Sequence, residues 1–140
     1  MDIVIDNSVI IKWFFEEDGY EQALALLLKA TRGEIKLHAP ILAKYEFTNV
    51  LKSKKINDSD AKTFIRKFFE AKIIFHNIDS NDTNEIYKIS VQENISFYDA
   101  SYLYISREVG FRFVTADEKL VNNVRNPTYY SIVLLTNLFE

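Results

Sequence analysis

Asp2-Ile3-Val4-Ile5-Asp6-Asn7-Ser8 opens the chain with three consecutive β-branched residues, stopped by Asp-Asn-Ser. Such a run predicts a short strand. Because it is apolar without alternation, it belongs in a sheet covered on both faces, as parallel sheets are. The same reading recurs outward from it. Lys36-Leu37-His38-Ala39-Pro40 predicts a second strand closed by proline, and Ile73-Ile74-Phe75-His76-Asn77-Ile78 a third. Phe111-Arg112-Phe113-Val114-Thr115 predicts a fourth and Ser131-Ile132-Val133-Leu134-Leu135 a fifth. Helical stretches separate them: Ser8 to Phe15, Tyr20 to Ala30, Ile41 to Lys52, Asp82 to Glu93, Ser96 to Val109 and Asp117 to Asn123. Between the second and third strands, Ala61, Phe64, Ile65, Phe68 and Phe69 fall at i, i+3, i+4, i+7 and i+8, the apolar stripe of an amphipathic helix. Strands alternating with helices imply an α/β fold with a mainly parallel five-stranded sheet.

The length of 140 residues predicts one domain, residues 1–140, large enough to bury a core without covalent staples. The chain has no cysteine, which excludes disulfide scaffolds, Cys-ligated zinc, iron–sulfur clusters and a thiol nucleophile. Its two histidines, His38 and His76, fall mid-strand and are expected in the core or at a sheet edge. Three glycines and two prolines leave no Gly-rich phosphate loop. The net charge of −3 argues against a protein that wraps nucleic acid non-specifically, so contact with a polyanion must rest on a local basic patch or a bound cation. The longest apolar run, Ala23 to Leu28, is too short to span a membrane, and the acidic first residues lack the basic start of a signal peptide. A cytoplasmic protein without membrane contact is expected.

In open α/β sheets, ligands sit at the carboxyl ends of strands where the strand order reverses. Asp6 follows the first strand and Asp117 the fourth; Asp99 opens the helix before the fourth, and Glu46 lies within the helix after the second. If strands one and four are neighbours, these four carboxylates share one crevice. Each also has a plainer role. Asp6 can cap the helix at Ser8; Ser96-x-x-Asp99 and Thr115-x-x-Glu118 fit capping boxes, the latter leaving Asp117 at the second helical position. Glu46 is harder to assign to the surface, because its helical neighbours Leu42, Ala43 and Val50 are apolar and no Lys or Arg lies at i±3 or i±4. Clustered oxygens without nitrogen or sulfur suit a hard cation, Mg²⁺ or Mn²⁺. A glycosidase pair would use two carboxylates only, and no G-x-S-x-G elbow supports a serine triad.

Four stretches then carry a resemblance: Ile3-Val4-Ile5-Asp6-Asn7-Ser8-Val9-Ile10, Leu42-Ala43-Lys44-Tyr45-Glu46-Phe47-Thr48-Asn49-Val50-Leu51, Ser96-Phe97-Tyr98-Asp99-Ala100-Ser101-Tyr102-Leu103 and Phe113-Val114-Thr115-Ala116-Asp117-Glu118-Lys119-Leu120. In this order and spacing the chain resembles PIN-domain nucleases, most closely VapC-type toxins of type II toxin–antitoxin pairs. The resemblance implies a three-layer α/β/α sandwich with strand order 3-2-1-4-5. It implies that Asp6, Glu46, Asp99 and Asp117 are the acidic catalytic and metal-binding residues, with Thr115, and by analogy Ser8, as supporting hydroxyls. It implies a Mg²⁺- or Mn²⁺-dependent endoribonuclease that hydrolyses RNA phosphodiesters through metal-activated water, acts as a homodimer and is held by a cognate antitoxin. Asn7 departs from the Thr or Ser usual after the first acid, which alters a hydrogen bond near Asp6.

Lys12, Lys44, Lys52, Lys54 and Lys55 are the candidate RNA-binding cations, against the alternative of a solvated helix end. Tyr102, Tyr104, Tyr129 and Tyr130 are candidates for core packing, a dimer seam or base stacking. Ala23 to Leu28, apolar on more than one helix face, is either a core helix or a dimer or antitoxin groove. Two rivals stand beside the toxin. One is an RNA-processing PIN nuclease without an antitoxin. The other is a phospho-accepting receiver-like signalling domain with Asp79 as acceptor, which lacks the paired acids after strand one and a Lys after strand five.

Overall fold

The computed structural model describes residues 1–125 and 130–138. Five strands, β1 (Asp2–Ile5), β2 (Lys36–Pro40), β3 (Ile73–His76), β4 (Arg112–Thr115) and β5 (Ile132–Leu134), form one sheet in the order β3-β2-β1-β4-β5. Every pairing is parallel. The helices are α1 (Asn7–Ile10), α2 (Tyr20–Thr31), α3 (Ala43–Ser53), α4 (Asp58–Glu70), α5 (Ser80–Glu93), α6 (Phe97–Val109) and α7 (Glu118–Asn123). A 3₁₀ turn, Ile11–Trp13, continues α1, so the apolar stretch after Ser8 is helical in two short pieces.

Ile3, Val4 and Ile5 are all buried, as an apolar run without alternation requires. Ile3 and Ile5 join a core with Val9, Leu26, Phe47 and Phe68 from α1 to α4, while Val4 packs with Ile86, Ile89, Ala100 and Leu103 from α5 and α6. The sheet therefore lies between two helical layers, the expected α/β/α sandwich. The strand order is not the 2-1-3-4-5 of flavodoxin-like receiver folds. Asp79, the acceptor such a reading needs, instead caps α5 in a reciprocal box with Asp82.

His38 is buried, as a mid-strand position predicts. It lies 3.1 Å from Asp2 on β1 through Nε2 and 2.9 Å from His76 on β3 through Nδ1, with Phe111 against its ring at 4.6 Å. Three adjacent strands are thus joined by side chains as well as by their ladders. Among the described residues no helix is long and apolar enough to cross a membrane.

The sheet reverses direction of growth at β1, which has β2 on one side and β4 on the other. A crevice opens there, beyond the carboxyl ends of β1 and β4. Ile5 is in register with Val114, so the next residues, Asp6 and Thr115, meet at its floor.

Candidate active site at the carboxyl edge of the sheet

Asp6 is buried where β1 turns into α1, and both its oxygens are held. Oδ1 accepts from the Ser8 hydroxyl at 2.5 Å and the Ser8 N–H at 3.1 Å; Oδ2 accepts from the Thr115 hydroxyl at 2.6 Å. The two hydroxyls stand 3.2 Å apart, each with its proton committed to Asp6. Ser8 Oγ also accepts the Ala116 N–H at 2.8 Å, and Thr115 Oγ1 accepts the Asp117 N–H at 3.1 Å. This network ties the end of β4 to the start of α1. Burial nonetheless pushes the Asp6 carboxyl up to about 6, helped by the charge of Asp99, with Ser8 and Thr115 pulling the other way.

Asp117 is the N-cap of α7 and accepts the Leu120 N–H at 3.1 Å. This corrects the expected box from Thr115 to Glu118. Thr115 completes β4 and gives its proton to Asp6, so the cap falls two residues later. Ser96 does cap α6, accepting the Asp99 N–H at 3.0 Å, which fixes Asp99 in the first turn. Burial raises the Asp99 carboxyl, and the charge of Asp117 raises it further, against the Ser96 hydroxyl.

Glu46 projects from α3 and accepts the Tyr102 hydroxyl from α6 at 2.9 Å. Burial pushes it up to about 7; Tyr102 opposes this, while the charges of Asp6 and Asp99 add to it. Asn7 completes the link between helices, donating to the Ala43 carbonyl at 3.2 Å and toward Tyr102 Oη at 3.4 Å. Sequence reasoning missed Tyr102 in this role. Its signal was its place three residues after Asp99 on α6, but a buried tyrosine reads as core. The departure at Asn7 does not deprive Asp6 of a hydroxyl, because Ser8 supplies it. Asn7 turns instead to α3, leaving its Oδ1 without a hydrogen-bond partner among the described residues.

The four acids thus reach one crevice edge from four elements, and Asp6, Glu46 and Asp99 each sense another's charge. None of the four forms an ion pair with a Lys or Arg among the described residues. Oxygen donors with uncompensated charge suit a hard divalent cation in their chemistry. Among the described residues, however, no three Asp, Glu, His or Cys side chains are gathered tightly enough to form a ready ion cage. Asp6 and Asp117 are committed to hydroxyls and a helix end, and the carboxylates meet through their fields.

The lysines are dispersed in role. Lys12 and Lys54 both pair with Glu17, and Lys54 also lies over the Phe15 ring. Lys44 rests over Phe69 and Phe75 at 4.8 and 4.6 Å, while Lys52 and Lys55 are exposed at the end of α3. Tyr102, Tyr104 and Tyr130 are buried; Tyr129 lies outside the described residues. The tyrosines exposed beside the site are others, Tyr45 and Tyr98. With Leu42, Glu46, Asn49 and Val50 they line a cavity of about 340 Å³.

No curated protein sequence matches the chain significantly. Among solved structures it is similar to PAE2754 from Pyrobaculum aerophilum, with 20% identity and a TM-score of 0.67 over 99% of this chain and 92% of that one. It is similar to VapC20 of Mycobacterium tuberculosis, described as a sarcin–ricin loop cleaving toxin, with 13% identity and a TM-score of 0.70 over 86% of this chain and 93% of that one. A third is VapBC2 from Rickettsia felis, solved bound to a DNA fragment from its promoter, with 12% identity and a TM-score of 0.68 over 96% of this chain and 98% of that one. At such identities these likenesses establish the fold. The PIN domain family model matches residues 3–125, a span that holds all four crevice carboxylates, and the chain belongs to the PIN domain family.

Proposed function

We propose that the protein is a divalent-metal-dependent endoribonuclease, the toxin of a VapBC-type toxin–antitoxin pair, built as one PIN domain over residues 1–140. One observation carries the reading: acidic side chains from four separate elements share a crevice edge, and the described residues provide no cation to neutralise them. A fold does not keep such repulsion for stability's sake. The family supports nuclease chemistry, and the likeness to a toxin and to a toxin–antitoxin assembly supports the cellular role.

Asp6, Asp99 and Asp117, with Glu46 directly or through water, would hold Mg²⁺ or Mn²⁺. A bound cation there supplies charge stabilisation for the phosphate and lowers the pKa of a coordinated water. The chain's own residues do the rest. Ser8 and Thr115 fix both Asp6 oxygens, so the carboxylate cannot swing with the substrate. Tyr102 holds Glu46 Oε1, leaving Oε2 to take a proton from the attacking water. Without an ion the carboxyl lies at about 7, and a cation beside it would favour the ionised form that accepts a proton. The water oxygen bonds to phosphorus as its proton passes to Glu46, the bond to the 3′ oxygen breaks, and that oxygen takes a proton from solvent, so the products carry 5′-phosphate and 3′-hydroxyl ends. Lys52 and Lys55 are the lysines of the set left open to steer RNA. A second copy of the chain and an antitoxin are the protein partners of this reading.

The test is cleavage of ribosomal, transfer and messenger RNA by the purified protein in Mg²⁺ or Mn²⁺, beside Asp6→Asn. Metal-dependent products with 5′-phosphate ends, absent in the variant, are expected. No cleavage of any RNA in either metal would sink the reading. Cleavage by a protein whose gene has no small DNA-binding partner beside it would keep the nuclease and remove the toxin role.

A further inference from the structure

Tyr45 and Tyr98 are 68% and 51% exposed, each forgoing most of the burial that makes an aromatic ring stabilising. Single exposed rings are ordinary on a surface. These two are not scattered. Each directly precedes a crevice carboxylate in its helix, Tyr45 before Glu46 on α3 and Tyr98 before Asp99 on α6. Both line the same cavity, with Glu46 in its wall, Leu42 and Val50 as apolar sides, and the Asn49 amide available to an uncharged polar edge. Its volume of about 340 Å³ is at the small end of ligand pockets. A phosphate is a poor occupant, because the Glu46 carboxylate would repel it. A flat, uncharged ring with polar edges matches every wall.

We propose that Tyr45 and Tyr98 form a nucleobase clamp beside the acidic crevice, stacking on an unpaired base next to the scissile phosphate and so setting where the strand is held. The inference rests on the nuclease reading and adds two base-positioning residues to it. Bases in a duplex offer no free face to a side chain, whereas unstacked bases do, and stacking on an aromatic is tolerant of base identity. The Asn49 amide, which can both donate and accept, is able to add a preference among bases.

The experiment measures binding in EDTA, where cleavage is suppressed, using a short single-stranded RNA, its duplex, and the same strand with abasic positions. Wild type is expected to prefer the intact single strand over the abasic one by about fivefold to a hundredfold, the range for loss of one stacked base. Tyr45→Ala and Tyr98→Ala should lose that preference and bind both strands alike; Tyr45→Phe and Tyr98→Phe should keep it. In the Tyr98→Trp variant, oligonucleotide binding should quench fluorescence beyond the Trp13 background measured in wild type. If wild type cleaves RNA in Mn²⁺ but the Ala variants discriminate as it does, the clamp is wrong and the nuclease stands. If the Ala variants change self-association by sedimentation while base preference is unmoved, the rings are a protein interface and the clamp is wrong. If wild type neither binds nor cleaves RNA, both readings fall.

Discussion

Glu46 shows what one side chain acquires from its surroundings. On α3 it has no helical neighbour of opposite charge, and the fold supplies a phenol in place of a cation. Tyr102, itself fully buried, donates to Glu46 and stabilises the ionised form, while burial and the fields of Asp6 and Asp99 favour the neutral one. The balance leaves the carboxyl at about 7, where a proton can be taken and returned near neutrality. Under the proposed mechanism, Glu46→Gln should lower the cleavage rate by about 10²- to 10⁴-fold, the usual worth of general acid–base help. Tyr102→Phe removes only the stabilising hydrogen bond, so the Glu46 pKa rises further. Its cleavage should be impaired near pH 7 and recover as pH increases, with the acid limb of the pH–rate profile moved to higher pH. An unshifted limb would mean that Tyr102 serves packing alone.

At the scale of elements, helix starts carry the site. Asp6, Ser96 and Asp117 are N-caps of α1, α6 and α7, and Asp99 sits in the turn that Ser96 closes. Ser96→Ala should cost about 1 kcal/mol in urea unfolding, as loss of a cap does. Its cleavage rate should fall by more than the population of unfolded protein accounts for, because the first turn of α6 orients Asp99. Equal losses would mean that the cap is structural only. This dual use explains what the sequence could and could not reveal. The β-branched run at Ile3 to Ile5, the stripe from Ala61 to Phe69 and the Ser96 cap are local chemistry, and the folded elements follow them. Asp117 was misplaced in its cap because the competing demand on Thr115 comes from Asp6, a residue 109 positions away. Glu46 announced itself through its apolar helical face. Tyr45 and Tyr98 did not, since exposure is decided by which helices pack together, and Tyr102 looked like core because it is core.

Across the whole molecule, the burial of the crevice carboxyls, with their mutual repulsion added, should appear as a pH- and ion-dependent stability. Asp6 moves from 3.8 to about 6 and Glu46 from 4.5 to about 7, both upward. The folded protein therefore holds these protons more tightly than the unfolded chain. The resulting stability is fully present below about pH 4 and is lost as pH rises through about 6 and then about 7. Ion-free protein should thus lose melting temperature from these groups between pH 5 and pH 8. A divalent cation binds the ionised forms, so Mn²⁺ should raise Tm more at pH 8 than at pH 5. At 100 times its dissociation constant an ion adds about 2.7 kcal/mol, roughly 5–10 °C for a chain of this size. Asp99→Asn separates repulsion from ion binding. Replacing a carboxyl raised by burial and by Asp117 with a neutral amide should increase the ion-free Tm at pH 8 while removing most of the Mn²⁺ response and the cleavage activity. Thermal melts of both proteins at the two pH values, with and without millimolar Mn²⁺, decide the matter: a variant that melts lower without ions, yet responds to Mn²⁺ as wild type does, would place the ion elsewhere.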